Sequence, residues 1–183
     1  MRVFIMGSSG AGKTHLASKL STELTLPHLE LDSLRHQANW QSLPDSKFQA
    51  EVRAFCQSDR WVIDGNYSVV RALVLARATD VVLLDRSKTL VMFRLFIRSM
   101  NRVLLRRELW NGNRERLRYL LSPNPNLNVL LWSWSNFDKR RAEFTELQLS
   151  VATDEKATLR IHRISNEKQL RDMIARLKSI ATD

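Results

Sequence analysis

The sequence predicts an α/β fold: a three-layer sandwich in which helices cover both faces of a five-stranded parallel sheet, with a short helical lid. Three observations carry that expectation. Short apolar runs of strand length alternate with longer amphipathic segments, the pattern of a parallel sheet buried on both sides. The first four runs end in residues suited to a ligand rather than a core, namely Gly7, Asp32, Asp64 and Asp85. In open sheets of this class ligands bind beyond the carboxyl ends of the strands, so these ends converge on one place. Finally, the first run is followed at once by three glycines and a lysine, in MRVFIMGSSGAGKTHLASKL. Glycine is costly to order and fills no core, so something other than packing must justify it there.

The elements follow in order. Residues 2–6 read as a buried strand and 13–24 as a helix with Leu16, Leu20 and Leu24 on one face. Residues 29–31, after Pro27, are a second strand ending at Asp32. A helix over 45–58 carries Phe48, Val52 and Phe55 at helical spacing. Residues 61–63 are a third strand closed by Asp64-Gly65-Asn66, followed by a helix over 69–77. Residues 81–84 form the fourth strand and 89–109 a long helix studded with arginines. Trp110-Asn111-Gly112-Asn113 is a turn, and 114–121 a short helix stopped by Pro123 and Pro125. A helix over 128–146, a fifth strand over 159–164 and an amphipathic helix over 166–177 complete the chain. The last turns Leu170, Met173, Ile174 and Leu177 inward.

With 183 residues and 44% hydrophobic composition, one domain spanning 1–183 can bury a full core. Cys56 is the only cysteine, which excludes an internal disulfide and a cysteine-based zinc cluster and fits a reducing compartment. The leading apolar run is too short for a signal peptide, and no run reaches the ~20 residues of a membrane helix. A soluble cytoplasmic protein, a monomer or weak dimer, is expected. The charge is less ordinary: 29 basic against 19 acidic residues, net +10. Ten basic residues lie between Arg86 and Arg118, opposed only by Glu108 and Glu115. Such a segment is either a solvated helix face or the seat of an anionic partner, a phosphate-bearing ligand or nucleic acid.

Gly7-Ser8-Ser9-Gly10-Ala11-Gly12-Lys13-Thr14 fits G-x-x-x-x-G-K-[ST], the phosphate-binding P-loop, with the required strand before it and helix after it. The glycines let successive N–H groups curl around an anion, and the helix beginning near Lys13 points its positive end at the same place. Lys13 would reach the β- and γ-phosphates, and the Thr14 hydroxyl would bind Mg²⁺. Asp64 is the preferred carboxylate for Mg²⁺ or its water shell. Asp85 competes, because Val81-Val82-Leu83-Leu84-Asp85 has the same apolar-strand-then-aspartate form. Asp32 is a candidate for orienting or deprotonating an acceptor hydroxyl, for a second contact to the metal, or for capping the helix that follows. Arg94, Arg98, Arg102 and Arg106 recur every four residues, which at about 100° per residue spreads them over roughly 120° of one face. On a free helix they repel; facing a triphosphate they bind it. His28 and His36 have no partner suggested by the sequence and read as structural or surface residues. The tryptophans read as packing residues, with Trp40 the one placed to meet an acceptor.

Several motifs also carry a resemblance. Leu31-Asp32-Ser33-Leu34-Arg35, Val62-Ile63-Asp64-Gly65, and Asp85 followed by Arg94 and Arg98 are similar, with the P-loop, to motifs of the nucleoside-monophosphate-kinase-like group typified by adenylate kinase. RWVIDGNYS (60–68) and ELWNGNRE (108–115) resemble a branch of that group, the DNA topology modulation proteins. The resemblance covers the whole chain. It implies strand order 2-3-1-4-5, an acceptor-binding insertion at about 33–60 and a lid at about 98–140. It further implies ATP and Mg²⁺ as cofactors, Arg94 and Arg98 on the donor, and Arg35, Arg71, Arg140 and Arg141 on the substrate side. Two departures stand out: Asn66-Tyr67-Ser68 replaces the Phe-Pro-Arg of adenylate kinases, leaving Arg71 as the nearest arginine, and the lid is short and lacks zinc-binding cysteines.

The expected function is transfer of the γ-phosphoryl group of MgATP to a small acceptor, a nucleoside monophosphate being one candidate. The alternatives are a DNA-associated NTPase or regulator and a nucleotide-binding module without turnover. No DNA-reading motif is visible. The direction in which the arginines point discriminates the first alternative from the kinase.

Overall fold

The computed structural model describes residues 1–154 and 158–182. Five parallel strands, β1 (Arg2–Gly7), β2 (His28–Glu30), β3 (Trp61–Asp64), β4 (Asp80–Leu84) and β5 (Arg160–Ile164), form one sheet in the order β2-β3-β1-β4-β5. This is the expected fold class and strand order. Because strand side chains alternate, β1 divides its apolar residues between two cores. Val3 and Ile5 join Val62, Val82 and Ile164 beneath α1 (Lys13–Leu24) and α8 (Glu167–Thr182). Phe4 and Met6 join Trp61, Ile63, Val81 and Leu83 beneath α3 (Asp45–Phe55) and α4 (Ser68–Leu75). Both faces are covered, which is why β1, β3 and β4 could be written as unbroken apolar runs.

The remaining helices are α2 (Leu31–Arg35), α5 (Lys88–Leu104), α6 (Leu117–Leu120) and α7 (Val129–Ala152). Four boundaries differ from expectation with consequences for the site. Strand β2 starts at His28 and ends at Glu30, so Asp32 sits in the first turn of α2 and no side-chain cap is made there. Helix α5 ends at Leu104, not 109. Arg106 takes a left-handed φ of 47°, its N–H bonds Val103 O, and the N–H of Arg107 reaches back to Arg102 O. That pairing is a Schellman stop made without glycine, and it removes Arg106 from the arginine face. Helix α6 is a single turn. Helix α7 is longer than expected, opened by Asn128, whose Oδ1 accepts from the N–H groups of Leu130 and Leu131.

Two short 3₁₀ turns share one design. In Ala38–Trp40 the central Asn39 has φ 58°, and in Trp110–Gly112 the central Asn111 has φ 56°. Each is closed by an antiparallel bridge, His36 to Ser42 and Glu108 to Arg114. The two turns hold each other. Trp40 N–H donates to Asn113 Oδ1 (2.8 Å), and Asn113 Nδ2 donates to Gln37 O (2.9 Å). Asn111 Nδ2 donates to His36 O (2.6 Å). The segment after α5 is therefore docked on the segment after α2. Among the described residues no helix is long and apolar enough to cross a membrane.

Candidate active site

The turn between β1 and α1 is built for close approach. Gly10 has φ +89°, and a Cβ there would meet Val91 O of α5 at 2.7 Å. Gly65 has φ +144°, and a Cβ there would meet Leu31 at 2.7 Å. One glycine lets the arginine helix lie over the P-loop; the other lets β3 end against α2. Only the absence of a side chain permits either contact.

Around this turn the structure gathers residues from seven elements, α1, β2, α2, β3, α4, α5 and α7. The Thr14 hydroxyl lies 2.8 Å from Asp64 Oδ2 and 3.2 Å from Glu30 Oε1. Asp64 is 2% exposed, and its other oxygen lies 2.7 Å from His28 Nε2. Lys13 Nζ donates to Ser8 O (3.2 Å). Burial pushes the lysine below its usual pKa; Asp32 and Asp64 pull it back up, while Arg98 and Arg140 press it further down. Arg98 and Arg140 thus lie within electrostatic reach of Lys13. Arg98 itself is held below the usual arginine value by burial and by Arg102, against the fields of Glu115, Asp32 and Glu30. Burial likewise lowers Arg140, with Glu143 opposing and Arg71 adding to the effect. The cationic side chains of α1, α5 and α7 thus crowd one cleft at the carboxyl edge of the sheet. Three buried donors there have no partner among the described residues: Arg98 Nε, Arg71 Nε and Asn66 Nδ2.

The two competing strand-end aspartates are placed differently. Asp64 faces Thr14, whereas Asp85 is gripped by Arg163, whose Nη2 and Nε lie 2.7 and 2.9 Å from Oδ2. Arg141 Nε stands 2.9 Å from Asp85 Oδ1, a close charge contact without hydrogen-bond alignment. Arg141 is therefore engaged by Asp85. Arg35 is engaged too: it donates to Asp45 (2.6 Å) and Leu43 O (2.8 Å) and lies over the Phe48 ring. Arg71 donates to Glu143 and to Asn66, each at 3.0 Å. Asp32 accepts a hydrogen bond of 2.6 Å from the Tyr67 hydroxyl. Arg94 is exposed on the wall of a cavity of about 390 Å³ beside Gly10, Gly12, His15, Arg86 and Glu167. Arg94 also borders an outer groove of about 470 Å³ along α5, with Phe93, Ile97, Arg98, Arg102 and Arg107.

Four residues at the site were not anticipated. Glu30 links Thr14 to Trp110, whose indole Nε1 donates to Glu30 Oε2 at 2.8 Å. Burial raises the Glu30 pKa, and Asp64 and Asp32 raise it further against the hydrogen bonds from Trp110 and Thr14. His28, expected to have no partner, bonds Asp64. His36, expected likewise, stacks on Trp110 with ring centroids 5.7 Å apart and lies 3.3 Å from the Tyr67 hydroxyl. Tyr67 stood inside a quoted motif without a role. The alternation His28-Leu29-Glu30 was the available signal, since it puts two polar side chains on one face of the strand.

The residue types fit a metal-bound nucleotide. A hydroxyl and a carboxylate 2.8 Å apart are the hard oxygen donors Mg²⁺ prefers, and the glycine turn leaves room for phosphate. Among the described residues there is no separate cluster of three or more histidine, cysteine or acidic side chains able to cage a metal.

No family model matches the chain, and neither does any curated protein. Solved structures do. A shikimate kinase from Aquifex aeolicus vf5 is 14% identical with a TM-score of 0.53, covering 100% of this chain and 99% of that one. A shikimate kinase from Bacteroides thetaiotaomicron is 14% identical with a TM-score of 0.55, at 100% and 99% coverage. A gluconokinase from Sinorhizobium meliloti 1021 is 15% identical with a TM-score of 0.48, at 98% and 93% coverage. At such identities the likeness establishes the fold, that of the P-loop kinases, along the whole chain.

Proposed function

We propose that this chain is a kinase that binds MgATP on residues 7–14 and passes the γ-phosphoryl group to a small acceptor. The observation that carries this reading is the P-loop geometry: Gly10 lets α5 lie over the turn, and Thr14 meets the Asp64 carboxylate at 2.8 Å. Phosphoryl transfer asks little covalent chemistry of a protein; it asks for alignment and positive charge around the moving group. The backbone of Gly7, Ser8, Ser9, Gly10, Ala11 and Gly12 cradles the donor phosphates, with Lys13 on the β- and γ-phosphates. Thr14 and Asp64 would hold Mg²⁺, which in such sites neutralises charge on the phosphate oxygens. Arg94, which lines the cavity beside Gly10, would contact the donor base, and Arg98 the phosphates. Asp32 would serve the acceptor side, and Arg140 would add positive charge near Lys13.

A nucleoside monophosphate as acceptor would need Arg35 or Arg71 for its phosphate. Each already carries a carboxylate, Asp45 or Glu143, which would have to be displaced. Arg141 would likewise have to leave Asp85.

A second reading has one observation in its favour. Arg94, Arg102 and Arg107 line the outer groove on α5, as a DNA-associated regulator of the topology-modulation kind would require. The experiment is incubation with γ-labelled ATP and Mg²⁺, alone and with nucleoside monophosphates, sugars, cyclic polyols and short duplex DNA. A labelled small molecule is the expected outcome. ADP release that only DNA stimulates, with no labelled acceptor and a steep salt dependence, would replace the kinase with the regulator.

A further inference from the structure

The Asn66-Tyr67-Ser68 departure is a motif that the proposed function leaves idle, and it stands beside the candidate base. Tyr67 precedes α4, and its ring lies edge-on to Phe48 with centroids 5.3 Å apart. Its hydroxyl reaches across to Asp32 Oδ1 at 2.6 Å. That oxygen is thereby committed, and the other oxygen of the carboxylate is left for a ligand. A phenol has one proton to give, and here it goes to Asp32. His36 Nε2, 3.3 Å from the phenol oxygen, must then be the donor on its side. His36 is fixed in turn by the stacked Trp110 and by the edge of Trp40, 5.4 Å away. Burial, with Asp32 adding to it, holds the Tyr67 phenol far above its usual pKa, so it stays a donor at every working pH. Burial also lowers the His36 pKa, with Asp32 opposing and Arg35 reinforcing, which favours a neutral ring carrying a single proton.

An oriented carboxylate of this kind has a use only if the acceptor has a proton to lose. The phosphate oxygens of a nucleoside monophosphate are already ionised at neutral pH and need no base; an alcohol does. The arginines that would hold an acceptor phosphate carry internal carboxylates, as described above. Resting on the kinase reading of this cleft, we propose that the acceptor is a hydroxyl group on a small molecule without phosphate, with Asp32 as its base and Tyr67 as the residue that positions Asp32. In the transfer step the acceptor O–H bond breaks and its proton passes to the free oxygen of Asp32. The acceptor oxygen bonds the γ-phosphorus as the bond from that phosphorus to the β,γ-bridging oxygen breaks. ADP leaves with the electron pair, and Asp32 returns the proton to solvent. Trp110, stacked on His36, ties this arrangement to the docked turn.

The test has two arms. In the first, the protein is labelled with ¹³C at tyrosine Cζ, which gives two resonances, one from Tyr67 and one from Tyr119. Tyr67→Phe assigns them, and Asp32→Asn is expected to move the Tyr67 resonance while leaving Tyr119 in place. An unmoved Tyr67 resonance would overturn the positioning role whatever the enzyme does. In the second, γ-labelled MgATP is offered sugars, sugar acids and cyclic polyols against nucleoside monophosphates, with water as the ever-present O–H acceptor. Label on an alcohol is expected; label on a monophosphate overturns the acceptor class. For the best acceptor, or for hydrolysis to water if none is taken, Asp32→Asn is expected to cost about 100-fold or more in kcat. Tyr67→Phe is expected to cost about tenfold with KM for ATP unchanged, and the double variant no more than Asp32→Asn alone. Independent, additive losses, or none from Tyr67→Phe, would contradict the proposal. Absence of every ATP turnover would instead remove the kinase reading itself, and the resonance arm would still decide whether Tyr67 holds Asp32.

Discussion

Two buried aspartates at opposite ends of the same sheet show how a fold separates stability from function. Asp80 begins β4, is fully buried, and is surrounded by donors: Arg160 at 2.7 and 2.8 Å, His162 at 2.9 Å and the Thr79 hydroxyl at 2.8 Å. Burial alone would raise its pKa, but the bonds from His162, Arg160 and Thr79 outweigh that and hold it well below the carboxylate range. Asp64 ends β3, is equally buried, and has His28 and the Thr14 hydroxyl as partners, with Glu30 on the same hydroxyl. The first carboxylate is closed, every demand met by the chain. The second is open: a group of acids at the carboxyl edge that no arginine or lysine among the described residues meets in direct ion-pair contact, which is the arrangement a bound cation completes.

That contrast can be broken from either end. The largest effect is expected from the phosphate side: Lys13→Met should lower kcat by about 10³-fold, since it removes charge aimed at the developing transition state. Its melting temperature should stay level or rise, because the buried ammonium is held below its normal pKa and its charged form is disfavoured by folding. Steady-state rates beside a thermal melt check both.

Asp80→Asn should do the opposite, costing about 2 kcal/mol of stability, less than a wholly buried pair because Arg160 is 40% exposed. That is a fall of about 4–8 °C in melting temperature for a domain of this size, with turnover unchanged at low temperature. A carboxylate with a depressed folded pKa contributes stability above its unfolded value, near 3.9, and loses it as pH falls toward the folded value. The gap between wild type and Asp80→Asn should therefore hold from neutral pH to about 5 and close in stronger acid. A gap that widens in acid would contradict this assignment.

A smaller effect should follow from Trp110→Phe, which keeps the stack on His36 but removes the indole bond to Glu30. A loss of about 1 kcal/mol in the docking of the turn is expected, read as faster hydrogen exchange at residues 110–113 and a severalfold higher KM for ATP.

The two aspartates were not equally legible. The P-loop and the strands rest on short-range pattern, glycine spacing and apolar runs. The strand order came from the resemblance, and the preference for Asp64 over Asp85 from the place that order gives the third strand beside the first. The partners of Asp64 lay in a pattern that was present but differently weighted. His28 and Glu30 flank Leu29 on a half-buried edge strand, and their shared face is the one that meets Asp64 and Thr14. The end of α5 was not legible at all, because Arg106 adopts a left-handed conformation without glycine or asparagine to announce it. The engagement of Arg35 with Asp45 and Arg71 with Glu143 depends on how separate elements pack, and local sequence carries no trace of that. Nor did composition show which arginines face inward. Arg98 does, Arg94 lies exposed at the rim, and Arg102 turns to Glu115 at 2.8 Å.

The most direct test of the open-versus-closed distinction is manganese binding. Mn²⁺ takes the hard oxygen ligands of Mg²⁺ and is visible by electron paramagnetic resonance, so its affinity can be measured with a non-hydrolysable ATP analogue. Wild type, Asp64→Asn, Asp85→Asn and Asp80→Asn would be compared at one pH. Affinity that falls at least tenfold in Asp64→Asn and stays within about twofold in the other two is the expected result. Equal affinity in Asp64→Asn, or a loss confined to Asp85→Asn, would contradict it and move the metal site to the end of β4.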